Sequence, residues 1–423
     1  MSVEVARKTA QRRAPRVGAL FAIVVLSAVS VLSLAFALGA RPEARAQGDA
    51  DDPTREPQIG VLLRNAPEDL ILAADGDAAM HVAWVGERGS QRKQAREALR
   101  VRFRGGSAWI GRDEIQNPFR VAVVDDGKLR PIRMGDRLYE GVLDFFPDRR
   151  ESGVTWKVVN RLPLERYLLG VLPHEMGESF PKEALRAQAV ASRTYALYHL
   201  LRQGHSCRYH VRGDTSSQVY GGKSHGSRVR WAVESTRGQV LTFRNQVFES
   251  FYHSTCGGWT ASANAMLGGG EIPPLEASRC GSCKASKFYR WSVEVPARDL
   301  HAVVQKIVRP HSVDLGKIRS ISPVDPGPGK HAAYLQVRHA RGSFEVDANR
   351  VRLGLIARGI KGLRSTAFKI EPVAGGYRFE GRGWGHGAGM CQMGATGLAV
   401  SGGEYADILL HYYQGARIRV AYR

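Results

Sequence analysis

At 423 residues, 43% of them hydrophobic, the chain can bury one large core or two medium ones, which excludes disorder except at its N-terminus. Lysine and arginine number 61 against 40 acids, a net charge of +21 that says nothing about fold and acquires meaning only once the compartment is known. Five cysteines permit two disulfides and leave one thiol over.

Residues 1–46 read as a targeting segment. Arg7, Lys8, Arg12, Arg13 and Arg16 precede 24 uncharged, mostly apolar residues from Val17 to Ala40, enough helix to cross a hydrocarbon core. The segment is either a permanent anchor or a cleaved signal, since Ala44-Arg45-Ala46 ahead of Gln47 has small residues suited to cleavage. Both readings leave the basic flank in the cytoplasm and export everything after residue 47. The protein is then a single-pass membrane protein with its C-terminal domain outside, or a secreted or periplasmic one. Export changes the sense of the charge. A cytosolic +21 suggests nucleic acid, whereas an exported basic domain meets an anionic polymer such as cell wall, or a membrane surface, or merely gains solubility. No stacking-aromatic or basic-helix module accompanies the charge, so no nucleic-acid partner is expected.

Residues 47–57, containing QGDADDPTRE, are polar and acidic, a linker by composition. From 58 to 160 short apolar runs (IGVLL, HVAWV, RVRF, FRVAVV, VTWKVV) alternate with turn signals and predict a mainly β region. Within it Ser90–Arg100, SQRKQAREALR, reads as a surface helix or charged loop. Residues 161–423 form the remaining domain. Pro163 opens a short helix whose apolar positions Leu164, Leu168, Val171 and Leu172 end at Pro173. Ser179 and Pro181 announce a second helix running to about Arg202, alanine-rich and mostly buried. Lys182, Arg186 and Arg193 share a stripe of it, and a guanidinium on a buried helix needs a partner acid or an anionic ligand. Beyond lie a helix and hairpin between Trp231 and His253 with its turn at Arg244-Asn245, a strand Trp291–Val295, a helix Ala297–Val308 and a hairpin within Ala333–Val346. The fold class is α+β, mixed strands and helices around a groove.

Three stretches carry chemistry. In VLPHEMGESF one carboxylate, Glu175, stands between a Pro-His pair and a methionine just ahead of the second helix. In GRGWGHGAGMCQMGATGL, Gly381–Leu398, seven glycines in eighteen residues leave His386 uncrowded; His386 and Gln392 can present polar groups to a sugar or carboxylate. In FYHSTCGG, His253 ends a strand three residues before Cys256, and Cys280-Gly-Ser-Cys283 follows. An exported chain allows a disulfide from Cys256 to Cys280 or Cys283; the same spacing allows a zinc set of His253, Cys256, Cys280 and Cys283. Cys391 is a poor nucleophile candidate in an oxidising compartment.

ERYLLGVLPHEMGESFPKEALRAQAVASRTYAL, QVYGG, FYHSTCGG and GRGWGHGAGMCQMGATGLA, in that order, resemble the stage II sporulation protein D family, which includes the amidase enhancers. The resemblance covers roughly Leu162 to Gly415. It implies peptidoglycan glycan strands as substrate and lytic transglycosylase action on strands stripped of peptides, without a cofactor. The family's catalytic glutamate falls on Glu175, its conserved-motif basic residues on Arg186 and Arg193, and its GHG histidine on His386; Gln218 and Tyr220 of QVYGG and His253 join the substrate-binding candidates. Some members carry a zinc-binding cysteine pair before the QVY motif, but here HVRGDTSSQVY has none. The amidase enhancers make a non-catalytic, wall-binding stimulator of a cell-wall amidase the alternative.

Lytic cleavage needs only one acid/base, whereas a hydrolase needs a second carboxylate about 5 to 9.5 Å away, and no paired acid stands out near Glu175. Glu175 would need its pKa raised by burial. Arg186 and Arg193 are therefore expected to hold substrate carboxylate or N-acetyl oxygens, or to pair with a different acid, and not to touch Glu175.

Overall fold

The computed structural model describes residues 55–86, 89–224, 226–268, 272–309 and 316–423. The targeting reading of 1–46 lies outside them. No helix of the described residues is long and apolar enough to cross a membrane.

The N-terminal part is built from strands whose residues alternate between two faces. Leu99–Arg104 shows the pattern: Leu99, Val101 and Phe103 point inward, Arg100, Arg102 and Arg104 outward. An eight-stranded sheet places, in order, Val211–Arg212, Gln58–Asn65, Gly153–Pro163, Val142–Arg150, Phe119–Asp125, Ala79–Gly86 and Gly89–Ala95, with Lys128–Arg130 paired to Phe119–Asp125. A six-stranded sheet faces it. Phe119 and Phe145 stack at 4.5 Å between centroids, with Phe103 6.1 Å from Phe145 and Trp156 5.7 Å from Phe119, each such ring pair adding about 0.5–1.5 kcal/mol beyond area burial.

The segment expected to be a surface helix or charged loop is strand instead. Gly89–Ala95 pairs antiparallel with Ala79–Gly86 along the edge of the larger sheet. Its Arg, Lys and Gln residues have good helix propensity, but an edge strand accommodates charge equally well, and Lys93 is anchored across the sandwich on Asp113 at 2.7 Å.

The strand Gly153–Pro163 runs directly into helix α1, Leu164–Glu175, with Pro163 at its N-cap. The helix does not stop at Pro173. A proline near the C-terminus removes a single N–H, and the turn still closes through the Met176 amide on the Leu172 carbonyl at 2.9 Å. Glu175 thus closes the helix. Helix α2, Lys182–Gln203, lies against α1 and against α3, Ser227–Ser235, and its buried alanines bring these backbones close. The hairpin at Arg244-Asn245 is present, both residues having positive φ (50° and 64°) as a type I′ turn requires.

After the short helix α4, Ala263–Leu267, the chain enters an insert with its own core. Strands Trp291–Pro296, Gly376–Gly381 and Phe368–Val373 form one sheet; Ile318–Val324, Tyr334–His339 and Gly342–Asp347 form another. Helices α5, Ala297–Val308, and α6, Ala348–Ala357, pack onto them around Leu300, Val304, Leu335, Val351 and Leu355. The chain returns at Met390–Cys391, which pairs in parallel with Tyr252–His253, and continues into α7, Gln392–Val400, and α8, Tyr405–Tyr412. A strand at Arg417–Val420 then pairs with Gln239–Phe243.

Candidate active site

Glu175 is half-buried at the end of α1. Its Oε1 accepts from the Val219 amide at 3.0 Å, and its Oε2 lies 3.4 Å from the Gln392 Nε2. Burial raises the carboxyl above its ordinary value, while the Val219 amide, Gln392 and the Tyr252 hydroxyl pull partly against it. Behind them runs a neutral polar network. Gln392 reaches Gln188, Gln188 donates to Ser192 at 2.9 Å, and Gln218 donates to the Tyr252 hydroxyl and accepts from the Tyr167 hydroxyl, both at 3.0 Å. Gln188, Ser192 and Tyr195, spaced i, i+4 and i+7, form the stripe of α2 turned toward Glu175. Burial pushes the Tyr195 phenol up to about 12.

The other stripe of α2 faces away. Arg193, fully buried, grips Glu165 through two hydrogen bonds of 2.9 and 2.7 Å and donates also to the carbonyls of Gln239 and Val233. Burial alone would raise Glu165, but Arg193, the Gly238 amide and the Tyr422 hydroxyl outweigh it and hold the carboxyl below its usual range. Arg186 pairs with Glu183 at 3.2 Å and lies 3.8 Å from the centre of the Tyr405 ring. Of the two expectations for these arginines, pairing with a different acid is the one the geometry has; as substrate ligands beside Glu175 they are misplaced, because the helix turns them toward α3 and α8. Tyr220 is likewise core: its hydroxyl donates to Asn160 at 2.7 Å and its ring packs on Tyr167. Gln218 is at the site but fully buried and bonded to protein on both ends, so it positions Tyr252.

Successive residues of a strand point to opposite sides, and Tyr252, not His253, points to Glu175. His253 is buried under the glycine-rich loop, its Nδ1 donating to the Ala388 carbonyl at 3.0 Å. His386 lies beside it, ring centroids 5.7 Å apart, its Nδ1 accepting from the Ala388 amide at 3.1 Å and its ring near the Tyr252 carbonyl. His331, from the insert, completes the trio. Burial pushes His253 down to about 3 and His386 and His331 to about 4, so all three are neutral near pH 7. Gly387 carries φ +84° and a Cβ there would come within 2.6 Å of the His331 ring, which is why this loop needs glycine.

The cysteines converge. All five are free thiols, and Cys256, Cys280, Cys283 and Cys391 bring their sulfurs within 4.8 Å of one another. The fourth member is Cys391, not His253, whose Nδ1 is engaged by the Ala388 carbonyl; the parallel pairing of Tyr252–His253 with Met390–Cys391 brings Cys391 beside the strand that leads to Cys256. Sequence reasoning missed Gln188, Tyr252, His331 and this role of Cys391. Tyr252 had a signal, its place beside His253 in a strand; His331 had none.

A family model described as Stage II sporulation protein matches residues 152–243, which hold α1, α2, Glu175 and the Val219 amide. Over 299 residues the chain is 30% identical to the stage II sporulation protein D of Bacillus amyloliquefaciens, covering 65% of this chain and 81% of that one. The chain belongs to the stage II sporulation protein D family. Other relatives of this sporulation protein D homologue are the amidase enhancer of Bacillus subtilis (strain 168), 30% identical over 289 residues, 59% of this chain and 40% of that one, and an uncharacterised protein of Brachyspira hyodysenteriae, 35% identical over 285 residues, 66% and 72%. In this family member residues 277–389 match a second model, a domain of unknown function (DUF8618), which takes in the insert together with Cys280, Cys283, His331 and His386.

Proposed function

We propose that this protein is a peptidoglycan lytic transglycosylase that cleaves denuded glycan strands between N-acetylmuramic acid and N-acetylglucosamine. A cell-wall function follows from its family and from the amidase-enhancer relative. The observation that carries the finer reading is a largely buried carboxyl, Glu175, raised by burial and contacted by the uncharged Val219 amide, Gln392 and Tyr252. The neighbouring acids have other tasks: Glu178 caps α3 through the Arg228 and Val229 amides, Glu183 holds Arg186 and Glu165 holds Arg193. That arrangement supports a one-carboxylate reaction over a hydrolysis needing two.

In this reading Glu175 gives its proton to the glycosidic oxygen as the bond to the muramic acid C1 breaks and positive charge develops on that sugar. The carboxylate so formed, held by Val219 and Gln392, then takes the proton of the sugar's own 6-hydroxyl, whose oxygen bonds to C1 and closes a 1,6-anhydro ring. No water is consumed. Trp384, 42% exposed on the glycine-rich loop, and Trp259, 38% exposed, offer apolar faces to sugar rings. The substrate lies outside the cytoplasm, so the reading includes export through residues 1–46, as an anchor or a cleaved signal.

The test is incubation of the protein with peptide-free glycan strands and mass analysis of the products. Fragments lighter by one water than hydrolytic ones are expected, with the rate reduced about 10²- to 10⁴-fold in Glu175→Gln. Hydrolytic masses, or products undiminished in that variant, overturn the reading. The amidase-enhancer relative favours a second one, a non-catalytic wall-binding protein that stimulates an amidase; it predicts glycan binding without product and a Glu175→Gln variant that still stimulates.

A further inference from the structure

We propose that Cys256, Cys280, Cys283 and Cys391 form a tetrahedral four-thiolate site for a single zinc ion, tying together the three loops behind Glu175. The four sulfurs lie within 4.8 Å of one another, and those of Cys256 and Cys283 are 3.6 Å apart. Zinc–sulfur bonds of about 2.3 Å in a tetrahedron set sulfurs about 3.8 Å apart, so one ion fits with small adjustments. A multi-iron cluster, with sulfides between its irons, spaces its cysteines more widely.

The surroundings are those of thiolates. Cys391 Sγ accepts from the Gly394 amide at 3.2 Å and the Cys256 amide at 3.3 Å; Cys256 Sγ accepts from the Gly258 amide at 3.4 Å. Tyr412, its hydroxyl 3.1 Å from Cys280 Sγ, donates to it once that sulfur is ionised. Cys391 is the N-cap of α7, where the helix end favours negative charge. Four buried thiolates with this many donors still need a cation, and soft sulfur ligands in tetrahedral array select zinc over magnesium or calcium. Helix α7 seats on the Cys280–Cys283 turn only because two of its residues lack side chains: a Cβ at Gly394 would come within 2.6 Å of Cys280 Sγ, and one at Gly397 within 2.0 Å of the Ser282 carbonyl.

The ion would fix Cys391, whose next residue is Gln392, and Cys256, four residues past Tyr252. It would thereby hold both side chains against Glu175. That positional consequence rests on the reading of Glu175 above; the metal site does not.

The experiment uses the full chain, purified without chelators. Elemental analysis should find one zinc per chain. Cys207 alone should react with N-ethylmaleimide in the native protein, all five cysteines reacting after denaturation with a chelator. Cobalt exchange should give the strong thiolate-to-cobalt and d–d absorptions of a tetrahedral sulfur site. Cys283→Ser and Cys391→Ser should lose the zinc and Cys207→Ser keep it; Tyr412→Phe, which removes only a hydrogen bond, should weaken zinc binding by about 10-fold. Should the serine variants fail to fold, the cobalt spectrum and the thiol count of the unaltered protein still decide. Iron in place of zinc, a protein mass lighter by four hydrogens with no metal, or four buried but metal-free thiols would each overturn the assignment. Because zinc content is read without glycan, its failure and a failure of the transglycosylase reading are separate results.

Discussion

Burial raises the Glu175 carboxyl while the Val219 amide, Gln392 and Tyr252 favour its ionised form, so the residue can give up a proton and take another back. Gln392→Leu removes one of the influences that lower the pKa. The folded pKa therefore rises, the protonated acid persists to higher pH, and the alkaline limb of the kcat/KM profile moves upward while kcat falls for want of a donor to the carboxylate. A limb that stays put or moves down would show that Gln392 does not act on Glu175. At this scale the sequence was informative about identity and poor about direction. Glu175 stood out by its place between a Pro-His pair and Met176 and by the family's catalytic glutamate falling on it, whereas His253 and Tyr252 are adjacent, and only the folded chain decides which faces the carboxyl.

Helix α2 carries two functions on two stripes. Gln188, Ser192 and Tyr195 serve the site, and Arg193 builds a polar core with Glu165 on the far side. Arg193→Met leaves Glu165 buried without its counter-charge and should destabilise the fold by about 3–5 kcal/mol at neutral pH, measured by urea denaturation. The sign with pH is fixed. Glu165 has a depressed pKa in the folded protein, so the pair's contribution is present above the ordinary value of 4.5 and is lost as pH falls through the lower folded value. In the variant burial raises the Glu165 pKa instead, and the stability gap between the two proteins should narrow on acidification. The alanines revealed that α2 is buried, and the demand of a buried guanidinium for an anion was legible too. What the sequence withheld was the anion, since Glu165 is 28 residues away and only the packing of α1 on α2 brings it to Arg193. Local rules likewise misjudged Ser90–Arg100, where an open sheet edge outweighs helix propensity, and Pro173, whose missing N–H matters little in a last turn.

Across the molecule, one core runs from the β-sandwich into the helices around Glu175, and a second belongs to the insert. The mixed α+β character and several insert elements, among them Trp291–Pro296, α5 and the Tyr334–Asp347 hairpin, could be read from alternation and periodicity. Their gathering into a separate core could not, because short apolar runs do not announce their partners. His331 shows the consequence: it comes from the insert and completes the histidine trio beneath the glycine-rich loop. Tyr252 and Met390 are neighbours in space but far apart along the chain, and closing so long a loop is entropically unfavourable. Within the insert, however, Trp291 lies opposite Gly381 in an antiparallel strand pair. Once the insert has folded around its own core, most of the intervening chain is already gathered and the two flanks emerge side by side. Leu335→Ala, expected to weaken that core by about 2–5 kcal/mol, should therefore slow refolding of the parallel pair, seen as delayed amide-exchange protection at Met390. This topology favours an order of assembly in which the excursion matures first and the surface that would meet the sugar is completed behind it.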